Sequence, residues 1–129
     1  MADFIDFKAL RRPASPNTYL LAPDGFCENA EPDAAAPVFE DSPDALYARL
    51  TALAGARTDW TRLKSDPAAR ALAWIAVTPL LRFKDDIDAR VVESPGGATV
   101  AIYSRSRVGY SDLGANRKRV ERLLADLMT

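Results

Sequence analysis

The chain has 129 residues, 48% of them hydrophobic and 27% charged, with 17 basic against 18 acidic side chains and a net charge of −1. That length fits one domain with a real core, and the charge balance leaves no global field to draw nucleic acid or acidic lipid. No apolar run approaches the roughly 18 residues of a membrane-spanning helix. The single cysteine, Cys27, excludes an internal disulfide, and with no histidine an ordinary zinc or haem site is disfavoured.

Taken in chain order, residues 1–44 hold nine acidic side chains against three basic ones, together with Pro13, Pro16, Pro23, Pro32 and Pro37. The opening Met1-Ala2-Asp3-Phe4-Ile5-Asp6-Phe7 has neither the basic start nor the long apolar stretch of a secretory signal. Proline fixes φ and lacks a donor N–H, so this stretch reads as an extended N-terminal arm over 1–41 rather than a helix or an inner strand. Its apolar residues Phe4, Phe7, Tyr19, Leu20, Leu21, Val38 and Phe39 are expected against the body, with disorder of residues 1–14 as the rival reading.

The body is expected over 42–129. Ser42-Pro43-Asp44 combines a capping hydroxyl, a proline at the first helical position and an acid at the positive dipole end. Leu46, Leu50 and Leu53 share one face and Gly55 stops the chain, which predicts a helix over about 43–54. Strands follow between about 58 and 108. Ala71–Val77 is apolar on both faces, as an inner strand is. Leu81 and Phe83 alternate with charges, as do Ile87, Ala89 and Val91, and Ser94-Pro95-Gly96-Gly97 is a turn before Val100 and Ile102. A last helix over about 112–127, capped by Ser111 or Asp112, buries Val120, Leu123, Leu124 and Leu127 and turns Arg117, Lys118, Arg119 and Arg122 outward. Short links favour an antiparallel meander. The expected class is α+β: an antiparallel sheet of about four strands with two helices on one face.

The densest polar stretch runs from Tyr103 to Arg117. Residues two apart on a strand face the same way, so Arg105 and Arg107 project together and Ser104 and Ser106 project oppositely. Paired guanidiniums suit carboxylate or phosphate. The loop with Gly109, Tyr110, Ser111, Asp112 and Gly114 leads to a helix start whose free N–H groups favour an anion. One reading is therefore an anion-binding corner. The other pairs the arginines with Asp85, Asp86 or Asp88, with Arg82 nearby, as a structural polar network. Asp85-Asp86-Ile87-Asp88 could offer oxygens to a cation, but Asp86 and Asp88 share a face while Asp85 points away, so no metal is assigned. Cys27 lacks an activating base, and the basic last helix lacks the interleaved aromatics that stack on bases. No catalytic residue and no cofactor is assigned. Trp60 and Trp74 are the aromatics expected at any interface.

The run Ser104-Arg-Ser-Arg-Val-Gly-Tyr-Ser-Asp-Leu-Gly-Ala-Asn-Arg-Lys-Arg-Val120 resembles the signature of the family known as domain of unknown function 1499. Pro16-Asn-Thr-Tyr-Leu-Leu-Ala-Pro23 and Arg82-Phe-Lys-Asp85 agree with its alphaproteobacterial branch. Relatives carry proline where Lys84 stands and valine where Ala115 stands. The resemblance implies a shared fold and a shared polar motif, but no activity. It directs interest to Arg105, Arg107, Asp112, Asn116 and Arg117. Asn116 lies four residues before Val120, on the buried helix face, where an amide needs partners. Many relatives carry an apolar anchor, which implies a soluble member or the soluble portion of an envelope-anchored protein.

Three functions follow as expectations. The first is a non-catalytic module binding an anionic small molecule, peptide or lipid head group through Ser104, Arg105, Ser106, Arg107, Tyr110, Ser111, Asp112, Asn116 and Arg117. The second is a structural or assembly domain whose motif locks helix to sheet. A hydrolase or transferase comes third. A protein partner fits either of the first two; nucleic acid and a membrane span are not expected.

Overall fold

A computed structural model of the chain describes residues 4–78, 82–109 and 111–129. Its elements are β1 (Thr18–Ala22), β2 (Ala34–Ala35), α1 (Pro43–Gly55), β3 (Trp60–Asp66), β4 (Ala71–Val77), β5 (Lys84–Ser94), β6 (Gly97–Ser106) and α2 (Ala115–Leu127). They form an α+β fold with a six-stranded sheet in the order β2-β1-β6-β5-β4-β3. Among the described residues only β1 and β2 pair in parallel; the other neighbours are antiparallel.

Local chemistry accounts for most boundaries. Ser42 Oγ accepts from Ala45 N at 3.2 Å and Pro43 opens α1, which buries Leu46, Leu50 and Ala54. The stripe of α2 is Val120, Leu123 and Leu127. Both stripes meet Leu21, Trp74, Ile87, Val100 and Ile102 in one apolar cluster, so both helices cover the same sheet face. A fully buried leucine such as Leu123 contributes about 2 kcal/mol. On the other face Leu20, Ala22, Ala101 and Tyr103 pack with Phe7 and Cys27. Pro95-Gly96, with Gly96 at φ +87°, makes the β5–β6 hairpin turn, since only glycine takes that conformation freely at the third turn position.

Several expectations need correction. The sheet has six strands rather than about four and is mixed rather than purely antiparallel, because the stretch expected as an arm supplies β1 and β2. Pro16 and Pro23 flank β1 and leave Thr18–Ala22 free to pair with β6. Val38 points outward, 53% exposed. Trp60 and Trp74 are core residues with ring centroids 5.4 Å apart. The last helix starts at Ala115, not at 112, because Gly114 sits at φ +82°. No helix among the described residues is long and apolar enough to cross a membrane.

Gly97 holds the most confined backbone. The chain at Phe39 bridges to Ala98, with Phe39 N donating to Ala98 O at 2.7 Å. A Cβ on Gly97, whose φ is +152°, would lie 1.9 Å from the Phe39 carbonyl oxygen. Gly97→Ala is expected to lose at least about 2 kcal/mol in urea unfolding, whereas Gly55→Ala, with open space around it, should not.

Candidate functional site

The sheet splits the polar stretch of β6 between two environments. Ser104 and Ser106 face α2, while Arg105 and Arg107 face the opposite side with Asp86 and Asp88. On that side Arg107 grips Asp86 with both prongs, Nε to Oδ2 at 2.9 Å and Nη2 to Oδ1 at 2.8 Å. Arg105 Nη1 lies 2.9 Å from Asp88 Oδ1, and its guanidinium sits 5.0 Å from the Tyr103 ring centroid. Asp86 stands opposite Arg105 and Asp88 opposite Tyr103, so each ion pair is the diagonal contact between adjacent strands. The Arg107 hydrogen bonds hold the Asp86 carboxyl below its usual range against partial burial. The Arg107 pair is solvent-reachable and worth at most about 1 kcal/mol.

The helix side is dry. Asn116 is fully buried and forms a hub. Its Oδ1 accepts from Ser104 Oγ at 2.6 Å and from Arg119 Nη1 at 2.9 Å. Its Nδ2 donates to the Asn17 carbonyl at 3.0 Å, to Ser106 Oγ at 3.0 Å and to Asp112 Oδ2 at 2.6 Å. Asn17, itself buried, donates its amide to the Gly109 carbonyl at 2.7 Å. Arg119 reaches on to Asp85, Nη2 to Oδ2 at 2.9 Å, with both side chains almost wholly enclosed. That approach is within ion-pairing distance but is not aligned as a hydrogen bond. Burial pushes the Asp85 carboxyl above its usual range, with Arg119 and the Ser106 hydroxyl pulling the other way.

At the start of α2 the expected anion is the protein's own. Asp112 accepts from the Gly114 N–H at 2.8 Å and the Asn116 N–H at 3.1 Å, besides the Asn116 side chain. Its carboxylate thus lies on N–H groups that a helix start leaves for an anion. Burial raises the Asp112 carboxyl, but the hydrogen bonds from Asn116 and Gly114 together hold it below its usual value.

The expected site residues therefore divide. Ser104, Ser106, Asp112 and Asn116 come together, with Asp85 beside them. Arg105 and Arg107 do not join them. Ser111 and Arg117 line a cleft of about 630 Å³ with Arg12, Tyr19 and Asp33. There the Arg12 fork is taken by Asp33 Oδ2 at 2.6 Å, Thr18 Oγ1 at 2.9 Å and the Glu31 carbonyl at 3.0 Å, and Arg117 pairs with Glu121 at 3.1 Å. Arg82 is exposed, at φ +59°, and has no ion pair among the described residues. Tyr110 lies outside the described residues. Asp85 and the Asp86/Asp88 pair occupy opposite faces and do not converge on a cation. Sequence reasoning missed Arg119 and Asn17. Its basic neighbours point Arg119 to the solvent side, yet it precedes Leu123 by one helical turn, and that spacing sets it beside the buried stripe.

The family model described as "Protein of unknown function (DUF1499)" matches residues 11–127. No curated protein matches the chain.

Asp112 makes the site pH-sensitive with a definite sign. Its folded pKa lies below the unfolded value near about 4, so its contribution is present above that pH and disappears as pH falls through the lowered value. Asp85 has the opposite sign, its raised carboxyl reducing stability as pH rises past the ordinary value. Comparing Asp112→Asn with the parent isolates the first effect. The variant should be less stable by about 1–3 kcal/mol at pH 7, and the gap in urea midpoints should narrow as pH falls below about 4. A constant gap would contradict this account.

Proposed function

Because this chain belongs to the DUF1499 family of proteins of unknown function, we propose that it is a non-catalytic interaction or assembly domain whose signature motif fastens α2 to the sheet. The observation that carries this reading is the buried Asn116 hub, in which one amide serves β6, the loop before α2 and the backbone just ahead of β1. Three further facts support it. Arg105, Arg107 and Arg119 each end on an aspartate, Asp112 occupies the helix start, and the Ser104 hydroxyl is enclosed and directed at Asn116. We assign the chain to the alphaproteobacterial-type branch on Pro16–Pro23 and Arg82–Asp85.

The anion-binding reading draws support from a different place, the polar cleft beside Arg12, Ser111 and Arg117. Its two arginines are balanced by Asp33 and Asp112, which favours a polar or zwitterionic ligand over a simple anion.

One experiment separates the two. Under the locking reading, Asn116→Ala loses about 2–4 kcal/mol by thermal or urea unfolding, and phosphate and acetate neither restore it nor move parent amides 103–117 in NMR titration. Saturable shifts at Ser111 and Arg117, with Asn116→Ala near parental stability, would favour the binding module instead.

A further inference from the structure

We propose that residues 4–10 form a strap that lifts as a unit off the sheet face away from the helices while the body stays folded, and so gates access to Cys27 and to the Tyr103–Arg105 side of the signature stretch. This goes beyond the locking reading, which concerns the opposite face.

Arg12 marks where the chain becomes fixed. Its guanidinium holds Asp33 Oδ2 at 2.6 Å, Thr18 Oγ1 at 2.9 Å and the Glu31 carbonyl at 3.0 Å. Residues 4–10, by contrast, belong to no strand or helix. Three of their hydrogen bonds are internal: Lys8 N donates to Asp6 Oδ1 at 3.0 Å, Ala9 N to Asp6 O at 3.1 Å and Leu10 N to Phe7 O at 3.4 Å. Those bonds survive displacement of the whole segment. Among the described residues, two hydrogen bonds join it to the rest. Glu28 N donates to the Lys8 carbonyl at 3.0 Å, and Ile5 N donates to Asp88 Oδ2 at 3.5 Å, which is long for such a bond.

One ring seats the strap. Phe7 is 2% exposed and packs with Leu20, Ala22, Cys27, Ala101 and Tyr103, its centroid 6.4 Å from that of Phe26. Ile5 and Leu10 are only partly buried there. Beside Phe7 the packing stops: a cavity of about 340 Å³ lies between Asp6, Phe7 and Lys8 and the side chains of Arg70, Arg90 and Glu93. A segment held by few buried apolar contacts and few hydrogen bonds opens at a free energy well below that of global unfolding. Lifting this one breaks a single apolar anchor and two hydrogen bonds, and every strand pairing beneath it stays whole. It uncovers Cys27, Tyr103 and the Arg105–Asp88 pair on which Ile5 rests.

The test follows Cys27 in the full chain with dithiobis(nitrobenzoic acid), beside native-state hydrogen exchange. The folded parent should label slowly, and Phe7→Ala should raise the rate at least about tenfold while the body keeps its cooperative urea transition. In the parent the rate should rise with urea at less than about half the slope of global unfolding, because opening exposes little surface. The Glu28 N–H should have a protection factor at least about tenfold below those of the β6 amides. The Asp33 N–H, which bonds the Leu20 carbonyl at 2.8 Å and anchors the loop carrying Cys27, should stay as protected as β6. Labelling unchanged by Phe7→Ala, a steeper urea dependence, or a Glu28 amide as protected as β6 overturns the proposal. So does an Asp33 amide that exchanges with Glu28, since the Cys27 loop is then what moves. The exchange and urea measurements need only the parent, so the test stands even where Phe7→Ala does not fold. Asn116 lies on the other face, so a failure here is distinct from a failure of the locking reading.

Discussion

A side-chain amide withdrawn from water must find a partner for its oxygen and both N–H groups, because each unmet group costs about 1–3 kcal/mol. Asn116 meets that demand with groups from three stretches of chain: Ser104 and Ser106 on β6, Asp112 in the loop before α2, and the Asn17 carbonyl ahead of β1. Those groups come together only when α2 lies in one position on the sheet. Apolar burial of Val120, Leu123 and Leu127 supplies more energy but tolerates sliding, whereas the amide does not. The stripe drives α2 onto the sheet, and the hub sets where it stops.

The same strand separates two kinds of electrostatics. On the helix side, Arg119 and Asp85 are enclosed, so each would be costly to leave alone even though the pair adds little relative to apolar packing. On the other side, Arg107 pairs with Asp86 nearer solvent, where screening makes the pair weak, and Arg105 pairs with the buried Asp88. A family motif rich in arginine thus need not describe a receptor. Its guanidiniums can be consumed by the acids of the neighbouring strand, and its helix start by Asp112.

Much of this was legible beforehand. Period-two alternation sorted Ser104 and Ser106 from Arg105 and Arg107 and Asp85 from Asp86 and Asp88, and the four-residue step from Val120 placed Asn116 inside. Ser42-Pro43-Asp44 marked α1. The prolines of residues 1–41 argue against a helix or an inner strand, yet Pro16 and Pro23 only flank β1 and leave Thr18–Ala22 free to pair. Two-residue β2 has no pattern to read; its parallel pairing to β1 is a tertiary outcome. Charge alone misled for Arg119, whose long side chain reaches from the flank of the apolar stripe to a buried acid. At the start of α2, where the sequence suggests room for an anion, the Asp112 carboxylate accepts from the Gly114 and Asn116 N–H groups.

The central claim is that Asn116 acts jointly with its β6 partner rather than as an isolated buried polar group. A double-mutant cycle on Ser104→Ala and Asn116→Ala, read by urea unfolding at neutral pH, addresses it directly. The account predicts a coupling energy of at least about 1 kcal/mol between the two positions. Strictly additive losses, with coupling within about 0.3 kcal/mol of zero, would contradict it.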